Sequence, residues 1–359
     1  MKTIPLAKPL IGRMERRAVN RVLRSGMLAQ GPKVAEFESS FSKFVNDREC
    51  VAVNSGTSAL HLALLSLGIG PGDEVIVPSF TFAATANSVS LTGAKPIFVD
   101  VDRRTFNIDP VKIEEAITSK TRAIQVVHLY GLPADMRSIM ALAKKHNLLV
   151  IEDAAQAHLS SIDNQPVGTF GDAAAFSFYP TKNMTSGEGG MIVLSSSEAA
   201  RQCRLLRNQG MEARYQNEIV GFNLRMTDIH ASIGIEQLKK LPSWNEKRRS
   251  NAKFLNQLID SKVTPYVPTG FNHVYHQYTI SLPKNRDLIS EFLTGSGIGN
   301  AVYYPTQVHK LPAFNLGLEL EVTASLINEV LSLPVHPSLT KKQLRYIGDS
   351  VNTALDKFL

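Results

Sequence analysis

Between Val51 and Leu194 the chain alternates short apolar runs with amphipathic stretches, and few folds accept that alternation. The runs are Val51–Val53, Glu74–Val77, Pro96–Val99, Ala123–Val127, Leu149–Ile151, Ala173–Phe178 and Met191–Leu194. Most are Val- and Ile-rich without polar alternation, as suits strands buried on both faces. Helical stretches lie at Ser58–Leu67, Ala83–Thr92, Pro110–Ile117 and Asp135–His146. Parallel neighbours need a long, usually helical crossover, so the pattern predicts an α/β layer structure around a largely parallel sheet. Upstream, Arg13–Ser25 has helical periodicity, with Met14, Val22 and Leu23 as expected buried positions. Helix dominates from Ser197 to Ile259. After Pro265 the texture changes, with strands expected at His273–Leu282 and Asn300–Tyr304. Helices are expected there at Arg286–Ser296, Glu321–Leu331 and Lys341–Phe358. The expected division is a large body, residues 1–245, and a smaller C-terminal α+β body, residues 246–359.

Composition narrows the classes further. The 359 residues, 43% hydrophobic and 20% charged, are ordinary for a soluble globular chain. Two cysteines, Cys50 and Cys203, in unlike contexts suggest neither a disulfide framework nor a metal cluster. The first residues lack the apolar core of a signal peptide and no run nears membrane-spanning length, so the expected location is the cytoplasm. Net charge is +7, with basic clusters on amphipathic helices at Arg13–Arg24 and Lys247–Arg249. Without interleaved aromatics these argue against nucleic acid, and they suit an anionic small substrate such as a nucleotide diphosphate.

Several stations could hold a ligand. Lys182 stands on a polar, glycine-rich loop between two apolar strands. It is either a solvated charge or an amine held against a carbonyl, as in a Schiff base to pyridoxal phosphate (PLP). In Asn54–Ser58 (N-S-G-T-S), the amides of Gly56, Thr57 and Ser58 open a helix and could take an anion; equally, Ser55 or Thr57 is its N-cap. Neither GxGxxG nor a Walker pattern occurs, so a dinucleotide or ATP site is not indicated. Phe80 and Phe82 either fill the core or lie over a flat ligand. Asp153 ends a strand, with Gln156 three residues on, where open α/β sheets bind ligands. It could cap a helix or keep a pyridine nitrogen protonated. Ser177 could donate to a phosphate or sit in the core.

Taken in register, G-T-S-A-L, P-S-F-T-F-A-A-T-A-N, G-A-K-P-I-F-V-D-V-D, H-L-Y-G, I-E-D-A-A-Q-A, F-S-F-Y-P-T-K-N-M-T-S-G-E-G-G and G-F-N-L-R-M-T-D-I resemble the DegT/DnrJ/StrS sugar aminotransferases. The C-terminal Y-Y-P-T and L-S-L-P-V-H-P-S-L carry the likeness over nearly the whole chain. The resemblance implies a fold type I aminotransferase: a large domain with a mostly parallel mixed sheet, a small C-terminal domain, and a homodimer with shared active sites. It further implies PLP on Lys182, Asp153 on the pyridine nitrogen, Gln156 near the phenolic oxygen and Phe82 on the ring. Gly56, Thr57 and Ser177 would hold the phosphate, with Asn223 reaching it from the neighbouring subunit. Relatives that dehydrate sugars carry histidine at the lysine position, so lysine at 182 favours amino transfer. Tyr303 departs from the H-Y-P triplet of many relatives, which bears on the sugar side. The implied substrates are an amino-acid donor, glutamate by resemblance, and a nucleotide-linked keto-sugar. Other PLP chemistries and a non-catalytic regulator on the same fold are the alternatives, although Cys203 in a helical context argues against a desulfurase.

Overall fold

All seven strands expected before Leu194 form, each within two residues of its expected limits, in a computed structural model that describes residues 3–359. In order they are β1 (Glu49–Val53), β2 (Glu74–Pro78), β3 (Lys95–Val99), β4 (Thr121–Val127) and β5 (Leu149–Asp153). The two-residue strands β6 (Ser161–Ile162) and β7 (Gln165–Pro166) follow, then β8 (Ala173–Ser177) and β9 (Gly190–Leu194). The seven-stranded sheet has the order β1-β9-β8-β5-β4-β2-β3. Only β9 is reversed within it. The carboxyl ends of β1, β2, β5 and β8 and the amino end of β9 therefore share one edge, where open α/β sheets place ligands.

Helices α1 (Arg13–Ser25), α2 (Pro32–Ser42), α3 (Gly56–Ser66), α4 (Ala84–Ser90), α5 (Pro110–Ala116) and α6 (Met136–His146) flank or precede the sheet strands. Three starts are capped by side chains, Ser55 on α3, Asp109 on α5 and Asp135 on α6. After β9 come α7 (Ser197–Arg207), a small hairpin of β10 (Met211–Ala213) and β11 (Gln216–Asn217), α8 (Asp228–Leu238) and α9 (Leu241–Leu258). The remainder holds β12 (Phe271–Asn272), β13 (Tyr278–Ser281), α10 (Arg286–Gly295), α11 (Glu321–Glu329), β14 (Val330–Leu333) and α12 (Lys341–Phe358). Strand β12 pairs with β6, and β13 with β14. Helix α9 crosses residue 245: Leu241 packs with Phe37 and Leu238, whereas Ala252, Leu255 and Ile259 join the apolar core of the C-terminal residues.

Four expectations are corrected. Met14 and Leu23 are exposed, and the inward positions of α1 are Glu15, Ala18 and Val22. The polar side docks because the Glu15 carboxylate accepts from Gln237 Nε2 (2.7 Å) and Gly12 N (3.0 Å) and pairs with Lys240. Burial raises the Glu15 pKa, but these partners outweigh it and hold the group below its ordinary value. Second, His273–Gln277 is irregular and only Tyr278–Ser281 is strand, because Val274 N and Gln277 N bond to the carbonyls of Gly131 (3.0 Å) and Tyr130 (3.2 Å) instead of a ladder. Third, no strand forms at Asn300–Tyr304, where Ala301 makes a single bridge to Ser332. Fourth, the helix expected to reach Leu331 stops at Glu329, since Val330–Leu333 pairs with β13. Helix α2 had no counterpart in the expected elements.

Alternation along β5 fixes the site edge. Asp153 faces one side, and its neighbour Glu152 faces the other, fully buried. The Glu152 carboxylate accepts from the N–H groups of Gly168 (2.8 Å), Phe170 (3.0 Å) and Gly171 (2.9 Å) and pairs with His128 Nε2 at 3.0 Å. Burial acts to raise its pKa, but His128 and the backbone donors hold it below the ordinary range. Glu152→Ala leaves three backbone N–H groups, two of them buried, without their acceptor. We expect a loss of about 3 kcal/mol in urea unfolding; a midpoint unchanged from wild type would contradict this clamp.

Candidate active site

At the shared edge lies a cavity of about 560 Å³, and every residue expected at the site except Asn223 lines it. Gly56 and Thr57 come from the first turn of α3. Phe82 follows β2, Asp153 ends β5, Gln156 follows it, Ser177 ends β8, and Lys182 stands on the loop before β9.

The lysine loop is built by short-range bonds. Lys182 N donates to Tyr179 O (2.9 Å), Ser186 N to Phe178 O (3.0 Å), and Thr185 Oγ1 to the same carbonyl (2.8 Å). The loop returns through Gly189 and Gly190. Gly189 has φ 157°, and a Cβ there would lie 2.3 Å from Met226 Cε. A Cβ on Gly190 would meet the Ser55 carbonyl at 2.3 Å, so the strand start lies directly against the N-terminus of α3.

Lys182 and Asp153 set the electrostatics. Burial lowers the Lys182 amine to about 8, against the opposing pull of Asp153. About half of these amines are then neutral at pH 8, where an ordinary lysine is almost wholly ammonium. Asp153 is buried; its Oδ2 accepts from Thr85 Oγ1 (2.8 Å) and its Oδ1 from Ala155 N (3.2 Å). Burial raises its pKa, while Thr85, Ala155 and Lys182 hold the rise in check. Asp153 thus closes β5 and begins no helix.

The remaining groups complete the walls. Ser55 is the N-cap of α3, its Oγ taking the Ser58 N–H (3.1 Å), and the Gly56 and Thr57 amides belong to the open first turn. A Cβ on Gly56 would lie 2.7 Å from Ser177 Cβ, so only glycine lets this turn close over β8. Of the two phenylalanines, Phe80 is buried in the core and Phe82 is 58% exposed, its ring 5.9 Å from that of Tyr304. Gln156 already has partners: Oε1 accepts from Tyr130 N (2.7 Å), and Nε2 donates to Tyr304 Oη (2.9 Å), keeping its second hydrogen. The Tyr130 hydroxyl donates to the Tyr303 carbonyl, and Tyr303 lines the cavity beside Tyr304. Burial raises the phenol pKa of both Tyr303 and Tyr304, so both remain hydroxyls.

Asn223 lies outside this cavity, exposed, its backbone bridging Asn208. It flanks the site edge all the same, because Asn54 N donates to Leu224 O (2.9 Å) and Arg225 bridges Val53. Sequence reasoning missed Tyr130, Tyr304, Glu188 and His276, which also line the cavity. Tyr130, Tyr304 and Glu188 stand inside the quoted motifs, whereas His276 lies outside all of them. Cys203 is fully buried with its thiol pushed up to about 12, which removes it from chemistry at the surface. No grouping of His, Cys, Asp or Glu that could hold a metal ion occurs among the described residues.

The cavity fits PLP: a helix N-terminus with a hydroxyl across from it for a phosphate, a sealed carboxylate for a pyridine nitrogen, and an amine of lowered pKa for an aldehyde. A mostly parallel sheet with these groups at one edge defines a fold type I aminotransferase. The chain belongs to the DegT/DnrJ/EryC1/StrS aminotransferase family, whose model matches residues 9–352. It is 42% identical to the UDP-N-acetyl-3-dehydro-alpha-D-glucosamine 3-aminotransferase of Acidithiobacillus ferrooxidans, over 94% of this chain and 92% of that one. Among solved structures it is similar to DesV of S. venezuelae in complex with a ketimine intermediate (38% identity, TM-score 0.92, 95% and 94% covered). It is also similar to NtdA of Bacillus subtilis with bound cofactor PMP (33% identity, TM-score 0.92, 99% and 86% covered). The cofactor of the family is pyridoxal phosphate.

With cofactor removed, acylation of Lys182 by an amine reagent, followed by peptide mass spectrometry, should reach half its limiting rate near pH 8. A midpoint at about 10.4, the value of a free lysine, would show that the amine is not perturbed.

Proposed function

We propose that this chain is a PLP-dependent aminotransferase that moves an amino group from an amino acid, glutamate by family resemblance, to the keto group of a nucleotide-linked sugar. The observation that carries the reading is Lys182 and Asp153 in one cavity at the strand ends, the amine lowered to about 8. The relatives' substrates support the sugar side. No helix among the described residues is long and apolar enough to cross a membrane. We place the enzyme in the cytoplasm as a homodimer, with residues 1–245 as the large body and 246–359 as the small one. Exposed Val220 and Phe222 beside Asn223 support a face covered by a second copy.

In this reading Asp153 keeps the pyridine nitrogen protonated and Phe82 covers a ring face. Gln156 directs its remaining amide hydrogen at the phenolic oxygen. The amides of Gly56 and Thr57 and the Ser177 hydroxyl take the phosphate, joined by Asn223 of the partner subunit. Bound there, PLP supplies an electron sink for the pair left when a proton leaves the donor's α-carbon. Lys182 would take that proton and return it at the cofactor's C4′ carbon. Water would release the donor as a keto acid, leaving its nitrogen behind, and Lys182 would move the same proton in reverse when the keto-sugar takes that nitrogen and gives up its oxygen as water. With an amine pKa of about 8, the neutral base is a minor form at pH 7.

Glutamate added to the purified protein should abolish its visible Schiff-base absorption, and a nucleotide-linked keto-sugar should restore it. Lys182→Ala should keep the fold and lose turnover by about two to four orders of magnitude, as for loss of a proton-transferring group. Borohydride should then fix no pyridoxyl group to the protein. Near-normal turnover in that variant would refute the role of Lys182, and an unchanged spectrum with glutamate would favour a lyase or a regulator.

A further inference from the structure

Helix α1 turns one side inward and leaves the other without a partner. Its inward positions are Glu15, Ala18 and Val22, and the one acid among them is held by Gln237, Gly12 and Lys240. Outward stand Arg13, Arg16, Arg17, Arg21 and Arg24, all exposed. At about 100° per residue, Arg13, Arg17 and Arg24 fall within about 40° of one another, with Arg16 on one flank and Arg21 on the other. Leu23 continues the surface beyond Arg16, and Met14 beyond Arg21, 51% and 45% exposed. No carboxylate pairs with any of the five arginines among the described residues. Five arginines against one glutamate supply more than half of the chain's net charge of +7.

Such a face is unfavourable for the helix on its own. Like charges at i,i+3 and i,i+4, as at Arg13–Arg17, Arg17–Arg21 and Arg21–Arg24, repel along the surface. Arg13 also opens the helix, where the macrodipole favours an acid. A surface serving solubility alone would intersperse both signs. The active-site cavity of the same chain does not account for the cluster, since none of the five arginines lines it. Nor does a second copy, because contact about a two-fold axis is isologous and would set arginines against arginines. A nucleic acid strand would find no aromatic ring on α1 for a base to stack on.

We propose that the outer face of α1 is a docking surface for an anionic lipid bilayer, on which the protein rests without crossing it. Charge complementarity carries the assignment. A plane of lipid phosphates meets the Arg13, Arg17 and Arg24 stripe along its length, and the long side chains of Arg16 and Arg21 bend to the same plane. A planar guanidinium takes phosphate oxygens in pairs, and bound phosphates relieve the repulsion along the helix. Leu23 and Met14 flank the stripe, placed to enter the headgroup boundary, a contact that a free phosphate does not offer. The 13-residue helix presents a line of charge about 20 Å long, which suits an extended surface better than a small anion.

Flotation of the purified holoprotein with phosphatidylcholine vesicles, with and without phosphatidylglycerol, tests this. The protein should float with the mixed vesicles and stay behind with phosphatidylcholine alone, and rising salt should release it. Arg13→Gln, Arg17→Gln and Arg24→Gln together should weaken binding on the order of a hundredfold, at roughly fivefold per charge. That variant should keep the wild-type response of its visible band to glutamate, because α1 lies outside the cavity. Met14→Ser with Leu23→Ser should weaken binding by a smaller factor, and unchanged binding there would overturn the bilayer as occupant. Wild-type protein that floats with neither vesicle, or with both equally, also overturns the proposal; if it then retards RNA in a gel, the occupant is nucleic acid. A triple variant that floats like wild type overturns it too, as does one whose oligomeric state changes in sedimentation, which marks a contact between copies. If the triple variant does not fold, Arg17→Gln decides: binding weakened about fivefold supports the lipid surface, and unchanged binding overturns it.

Discussion

A cation and an anion are buried at the edge of one cavity, in surroundings that would suit neither alone. Burial works against both charges, lowering the Lys182 amine and raising the Asp153 carboxyl, while each offsets part of the other's penalty. Moving a lysine from an ordinary 10.5 to about 8 weighs against its ammonium by about 3 kcal/mol, enough to keep a usable fraction of free base at neutral pH. The fold provides for this by holding the two groups on separate strands of one rigid sheet. Asp153 ends β5, and Lys182 follows β8 beside it. Glu152 ties the underside of β5 to the loop before β8, so the acid cannot shift without breaking buried hydrogen bonds.

Much of this was legible in the chain because the sheet strands are short apolar runs ended by turn-forming residues. Periodicity alone could not settle Glu321–Leu333, where a helical pattern runs on into residues that β13 claims as a partner. It also misplaced the inner face of α1. A carboxylate is usually an outward residue, and only the distant Gln237 and Lys240 make Glu15 an inward one. Within the site, Lys182 and Asp153 stand in motifs whose chemistry is visible from residue type. His276, outside every quoted motif, becomes a site residue only through contacts between remote segments, such as Gln277 N with Tyr130 O. Asn223 is a different case: its proposed task belongs to a second copy, and a single chain places it beside the edge and outside the cavity.

The cavity draws on both ends of the chain. Gly56, Phe82, Asp153 and Lys182 come from the sheet, and His276, Tyr303 and Tyr304 come from the segments after α9. Helix α9 spans the two, giving Leu241 to one core and Leu255 to the other, with Asn245 and Arg248 bonded to the seam between them. A relative shift of the two ends would move the tyrosines and His276 against a lysine held by the sheet.

The reversed strand β9 bears on how this chain folds. Strands β8 and β9 are consecutive neighbours, so the turn between them forms by local closure, whereas each parallel pair waits for a distant crossover to return. Lys182 therefore lies on the connection between the two paired sheet strands nearest to each other in sequence, the pairing with the least chain to close.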